Sequence, residues 1–249
     1  LPASVLASPF RTYMQAGRPR DGRMRAVEDQ NKHIAPCVVT VLMSIASGCS
    51  SINPDVRVRR MPDNHLEVKG PLAGPYDTLE QLAQDACEIM TRQPGAKNGT
   101  YGFEYCALYY HSAARDAYFL SYLSDIGRNH PDGTKSCELP RYLDDPEHQD
   151  AIILGPSHNH PHSRRFSRKD LSKSARRHPT RIFDKSTGRV WHRSTLLFYK
   201  QGEGDCEAYL FNNVTLGVSA LRNGQWEAIG VVYNDDGDIR MLEGKDWSP

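Results

Sequence analysis

Between Ala151 and Asp170 the chain reads A-I-I-L-G-P-S-H-N-H-P-H-S-R-R-F-S-R-K-D, and few local folds accommodate that order of residues. The short apolar run Ala151-Ile-Ile-Leu154 reads as a buried strand. His158 and His160 are two positions apart, so on an extended continuation of that strand their imidazoles point to one side. Pro161 ends the extended run, because a proline has a fixed φ and no N–H to give a ladder. Ser167 is a suitable cap for a helix that opens Arg168-Lys169-Asp170-Leu171. The segment therefore calls for a strand, a loop and a helix start that returns to the strand's end.

The flanking sequence supplies a sheet for that strand. From Asp77, three residues before Glu80, a cap-like start leads into Leu79, Leu82, Ala83, Ala86, Ile89 and Met90 at helical spacing, and the pattern ends near Pro94-Gly95. Tyr101 to Tyr110, rich in aromatics, and Ala117 to Ser124 read as strands. Four more follow at Thr195 to Lys200, Cys206 to Phe211, Val214 to Leu221 and Trp226 to Tyr233, with turns at Gly202-Glu-Gly204 and Asn223-Gly224. With 39% hydrophobic and 24% charged residues over 249 positions, the chain can bury one sizeable core. The expected class is α+β: a mixed β-sheet flanked by helices. Trp191, Trp226 and Trp247 read as core or interface residues, and Gly202-Glu-Gly204 lacks the strand-to-helix context of a phosphate loop.

Two imidazoles within joint reach of one point make a metal pair, and a catalytic zinc commonly has three protein ligands and one water. Asp170, on the first turn of the following helix, can return to the same point with a carboxylate oxygen. The HxHP of His158 to Pro161 followed by the F-S-x-x-D of Phe166 to Asp170 resembles the signature of the JAMM, or MPN-plus, metalloproteases. The resemblance covers roughly Asp77 to Leu171, and four residue types in fixed order make it specific. It implies a JAMM/cytidine-deaminase-like core with a C-terminal β-rich extension. It also implies zinc held by His158, His160 and Asp170, Ser167 stabilising an oxyanion, and an upstream glutamate acting as general acid/base. Glu104, in Tyr101-Gly-Phe-Glu-Tyr-Cys-Ala-Leu, takes that role on an otherwise apolar strand, with Glu138, Glu147 and Asp150 in reserve. The step from His160 to Asp170 is ten residues, one short of the commonest family spacing, which a shorter loop between Pro161 and Ser167 absorbs. The implied reaction is hydrolysis of a peptide, isopeptide or cell-wall amide bond.

Other readings compete for the same segment. His162 continues the alternation, yet it follows Pro161 and reads as a loop residue. From Arg164 to Arg181 there are eight basic residues against the single acid Asp170. Such runs are usually solvated faces, although Arg164 and Arg165 stand where they can hold an anionic part of a substrate. A metal-dependent nuclease is the rival enzyme, and a partner-binding domain with a degenerate site is the non-enzymatic alternative. Nucleic acid is not the expected partner, because the basic run has no interleaved aromatics for stacking.

The N-terminal region carries an address. Leu1 to Arg23 reads as disordered or not natively translated. From Met24, a polar stretch with Arg25 and Lys32 precedes the uncharged run Ile34 to Ala46, the layout of a signal peptide spanning 24–48. Its thirteen residues are short of the roughly 20 a transmembrane helix needs. Ala46-Ser47-Gly48-Cys49 resembles the lipobox of bacterial lipoproteins, which implies lipidation at Cys49, a tether over 49–75, and an envelope location, outer membrane facing periplasm or surface. Within the tether Val56-Arg-Val58-Arg and Leu66-Glu-Val68 alternate, as a short edge hairpin would. The catalytic domain is then 76–249. In such an oxidising compartment Cys87, Cys106, Cys137 and Cys206 form two disulfides, with three pairings possible.

Overall fold

The computed structural model describes residues 53–132 and 135–248. Residues 1–23, the proposed signal peptide and Cys49 lie outside them. The helical spacing after Tyr76 gives helix α1 (Leu79–Thr91), which buries Leu82, Ala83, Ala86, Cys87 and Met90. Its N-cap is Thr78 and not Asp77: the Thr78 hydroxyl accepts the Gln81 N–H at 3.2 Å, and the Gln81 side chain takes the N–H of Asp77 at 3.1 Å. The helix ends before Pro94, which cannot continue the hydrogen-bond ladder.

Nine strands make the main sheet: β1 (Ala73–Tyr76), β2 (Cys106–Ser112), β3 (Ala117–Leu120), β4 (Ala151–Asn159), β5 (Ser194–Lys200), β6 (Cys206–Asn212), β7 (Gly217–Arg222), β8 (Gln225–Val232) and β9 (Ile239–Met241). Their order across the sheet is β9-β8-β7-β6-β5-β4-β2-β3-β1. The β4–β5 pair is parallel and the other pairs are antiparallel. A parallel pair requires a long crossover, and residues 160–193 supply it with the one-turn helix α2 (Arg168–Leu171) and a small hairpin of Arg181–Phe183 with Val190–His192. Asn223 and Gly224, both at positive φ, form the two-residue turn between β7 and β8.

The sheet is mixed, as the α+β expectation has it, but helix is sparse. Among the described residues one long α-helix, one α-helical turn and two 3₁₀ turns accompany it, and the C-terminal strands β6–β9 continue the same sheet. Period-two alternation along β5 sorts two cores. Leu196 and Phe198 pack with Leu82, Met90, Tyr109, Leu120 and Leu154 on the α1 side, while Leu197 packs with Phe166, Leu171, Phe211, Val218 and Ile229 on the other. Gly155 is required at the junction, since a Cβ there would lie 1.7 Å from the Ser194 carbonyl oxygen. Trp191 and Trp247 are buried.

Two expectations change. The tether expected over 49–75 is folded from residue 53 onward: the short hairpin expected inside it forms between Val58–Arg60 and Leu66–Lys69, and Leu66–Lys69 also pairs with Tyr142–Asp144, which makes a three-stranded sheet. Leu66 and Val68 are buried, because the Leu66-Glu-Val68 alternation directs both apolar residues inward. The domain boundary at 75/76 moves accordingly. The strand expected from Tyr101 begins only at Cys106, preceded by a 3₁₀ turn at Gly99–Tyr101 and an extended segment.

Of the three possible cysteine pairings, the one formed is Cys87–Cys206 and Cys106–Cys137, with Cα atoms 5.9 Å and 5.8 Å apart. The first ties α1 to β6 across 119 residues of chain. Cross-linking so long a loop removes much unfolded-state entropy, so replacing Cys87 and Cys206 by alanine is expected to cost about 2–5 kcal/mol. A urea titration checks this: the midpoint should fall, and an unchanged midpoint would count against the bridge.

Candidate metal centre

β4 runs past its apolar start to Asn159, which carries the first histidine into the sheet. His158 lies opposite Cys106 of β2 and Leu197 of β5. It therefore faces the side where Phe166 and α2 pack, its ring centroid 6.3 Å from that of Phe166. His160 follows the strand end and stays in line through its N–H, which donates to the Phe198 carbonyl at 2.9 Å. Both histidines are buried and their ring centroids are 4.9 Å apart.

The third group arrives from α2. Ser167 caps this turn, and a capping box forms in which its side chain accepts the Asp170 N–H and the Asp170 carboxylate accepts the Ser167 N–H at 2.8 Å. Asp170 Oδ2 then sits 3.7 Å from His158 Nε2 and 3.5 Å from His160 Nε2. Ligand atoms of the three residues all lie within 4.8 Å of one another. The ten-residue step from His160 to Asp170 is thus long enough to close. α2 is seated from behind by the 234–238 turn, where Gly237 (φ +90°) comes so near Arg168 that a Cβ would lie 2.3 Å from its carbonyl oxygen, and Asp238 pairs with Arg168 at 2.6 Å.

Hydrogen bonding prepares the imidazoles for an ion. His160 Nδ1 lies 3.0 Å from the Arg165 carbonyl; with a carbonyl as partner Nδ1 carries the proton, which leaves Nε2 as a lone-pair donor toward Asp170. Both ring nitrogens of His158 are buried with no hydrogen-bond partner. A buried polar atom without a partner is costly, and coordination of an ion through Nε2 would relieve one of the two. Burial alone would raise the Asp170 pKa. With His158 and His160 protonated, their charges outweigh burial and hold it well below the ordinary carboxylate range. Two imidazoles and one carboxylate oxygen are a donor set suited to zinc with a fourth position open.

Glu104 comes from a different part of the chain. It is not on the strand but two residues before it, and extending the register Cys106↔His158 by two places sets Glu104 opposite His160 on the same face. Its Oε1 is 3.9 Å from His160 Nε2, and the Cys137 N–H donates to its Oε2 at 3.2 Å. Burial pushes its pKa up to about 7, opposed by His160 and reinforced by Asp170. The reserve acids are elsewhere: Glu138 pairs with Arg60 at 2.8 Å and Asp150 accepts from Ser112 and Ala114.

The cluster opens on a cavity of about 690 Å³ whose walls include Leu139, Phe166 and Ala175 and whose charged lining includes Lys135 and Lys169. The hairpin of Gly127–Asn129 with Lys135–Cys137 forms one wall and is anchored to β2 by the Cys106–Cys137 bridge. Three expected roles are modified. Arg164 turns away from the cavity to Glu207 at 3.5 Å and the Ser248 hydroxyl at 2.6 Å, which leaves Arg165 as the member of that pair lining it. The Ser167 hydroxyl donates to Asp170 Oδ2 at 2.7 Å, so in this structure it orients the carboxylate, and an oxyanion role requires it to turn. His162 is exposed on the cavity wall, outside the three-residue cluster. The Arg165 carbonyl and the Cys137 amide were not legible beforehand, because backbone groups carry no residue-type signal.

No protein-family model, no curated protein sequence and no solved structure matches this chain. Fold and site therefore define a class: a mixed-sheet domain with a two-histidine, one-carboxylate cluster at the end of a central strand and a buried glutamate beside it.

Proposed function

We propose that this chain is a zinc-dependent hydrolase of the JAMM type that cleaves an amide or isopeptide bond, with His158, His160 and Asp170 holding the ion and Glu104 as general acid/base. The observation that carries this reading is the convergence of Glu104, from the segment before β2, on a ligand set built by β4 and α2. Zinc, when bound, polarises a scissile carbonyl and lowers the pKa of a water. Glu104 accepts the proton of the attacking water and returns it to the leaving nitrogen. Asp170 stays ionised throughout.

The substrate class is a peptide, a protein or a cell-wall amide, and the proposed lipid anchor at Cys49 would present the domain at the bacterial envelope. The nuclease reading has less support because the basic run is dispersed: Arg164 pairs with Glu207, Arg168 with Asp238 and Lys173 with Asp235. A degenerate, partner-binding domain has no need of a carboxylate turned toward the ligand set. The test is an assay of purified protein against peptide, isopeptide and cell-wall amide substrates beside a plasmid. Amide cleavage should be abolished by a chelator and restored by zinc, with the plasmid left intact. Chelator-resistant cleavage, or cleavage of the plasmid alone, would overturn the assignment.

A further inference from the structure

Asn159 separates the two histidines in sequence and, by strand alternation, points to the opposite side of the sheet. It is completely buried. Its Oδ1 accepts the N–H of Tyr105 at 2.7 Å and its Nδ2 donates to the carbonyl of Phe103 at 3.1 Å. Those two backbone groups lie immediately before and after Glu104, and only one orientation of the amide satisfies both. The side chain acts where the ladder between β2 and β4 runs out: beyond Cys106↔His158 the backbone keeps a longer contact, from the Asn159 N–H to the Tyr105 carbonyl at 3.3 Å. Other restraints act on one side of Glu104 at a time. Before it, the Phe103 N–H donates to the Gly95 carbonyl at 3.0 Å and Gly102 lies so close to Pro161 that a Cβ would sit 2.3 Å from the proline ring; after it, the Tyr105 hydroxyl donates to the Pro94 carbonyl at 2.8 Å. None of them holds the backbone on both sides of Glu104.

We infer that Asn159 is a positioning residue for Glu104: by clamping the backbone on either side of it, Asn159 sets where the carboxylate stands beside His160 while touching neither the ion site nor the cavity. The inference rests on the reading of Glu104 as the general acid/base. Few other residues meet the requirement at position 159. Leucine has the shape without the polar atoms, serine is too short to span both groups, and aspartate keeps the acceptor but loses the donor. One strand residue thus serves two ends, its neighbours on one face supplying ligands and its own side chain fixing the base from the other.

The test is a double-mutant cycle of wild type, Asn159→Ala, Glu104→Gln and the double variant, with a fluorogenic peptide amide as probe, zinc content by metal analysis and hydrogen exchange at the Tyr105 amide. Asn159→Ala should keep its zinc, exchange the Tyr105 amide at least about tenfold faster, and lose about 10–100-fold in kcat with KM little changed, since a displacement of about 1 Å can cost 10²-fold. In the Glu104→Gln background the same substitution should cost nothing further, because it acts through Glu104. An equal loss in both backgrounds, loss of zinc with activity, or an unchanged Tyr105 amide would overturn it. If the alanine variant does not fold, Asn159→Leu, which keeps the shape and loses both polar atoms, carries the same cycle with the same expected outcomes. An undiminished rate in Glu104→Gln alone would refute the assignment of the base, while Tyr105 exchange still reports separately on the clamp.

Discussion

Alanine at position 158 is expected to take the protein from about one bound zinc per chain to none, because a catalytic zinc site has only three protein ligands to begin with. Changes in groups that merely support a ligand cost about 10–100-fold in metal affinity, and removal of a ligand should exceed that. The fold should survive. His158 is buried with both ring nitrogens unpartnered, so alanine removes an unsatisfied polar group as well as some packing against Phe166. Metal analysis beside circular dichroism separates the two effects. Zinc retained at the wild-type level by a folded His158→Ala protein would eliminate the three-ligand site, and loss of fold in zinc-free wild type would make the ion structural instead.

Glu104→Gln should do the reverse, keeping the zinc and losing the rate. The substitution preserves size and can still accept a hydrogen bond from the Cys137 N–H, but it cannot carry a proton between water and the leaving nitrogen. General acid/base groups contribute about 10²–10⁴-fold, and kcat should fall by that amount with KM near its original value. Burial of Glu104 and its separation of 3.9 Å from His160 Nε2 exclude a merely solvated side chain, so a neutral outcome is not expected from the geometry. A variant as active as wild type would remove Glu104 from the chemistry and favour the partner-binding alternative.

These two variants probe residues that were legible to different degrees. The convergence of His158, His160 and Asp170 is legible from spacing, since strand alternation and the first turn of a capped helix fix local directions, and their proposed role as ligands also draws on the resemblance to the JAMM motif. Glu104 was found through a family's order of elements, and its expected setting on a strand was inaccurate. What brings it to the cluster is the register between β2 and β4, joined across more than forty residues of chain. Arg164 and Arg165 look equivalent in sequence, yet Glu207 on β6 draws one of them away.

By itself the sequence determined the local pieces: α1 from its spacing, the tight turn at Asn223-Gly224, the alternating C-terminal strands and the histidine pair on one face. These follow from interactions between residues a few positions apart. Only the tertiary structure decided that the hairpin within residues 53–75 pairs with Tyr142–Asp144, that Cys87 pairs with Cys206 and Cys106 with Cys137, and that Asn159 grips the backbone on both sides of Glu104. Those contacts depend on which strands pair and in what register. A period-two pattern states which face a residue takes, but not which neighbour it meets there.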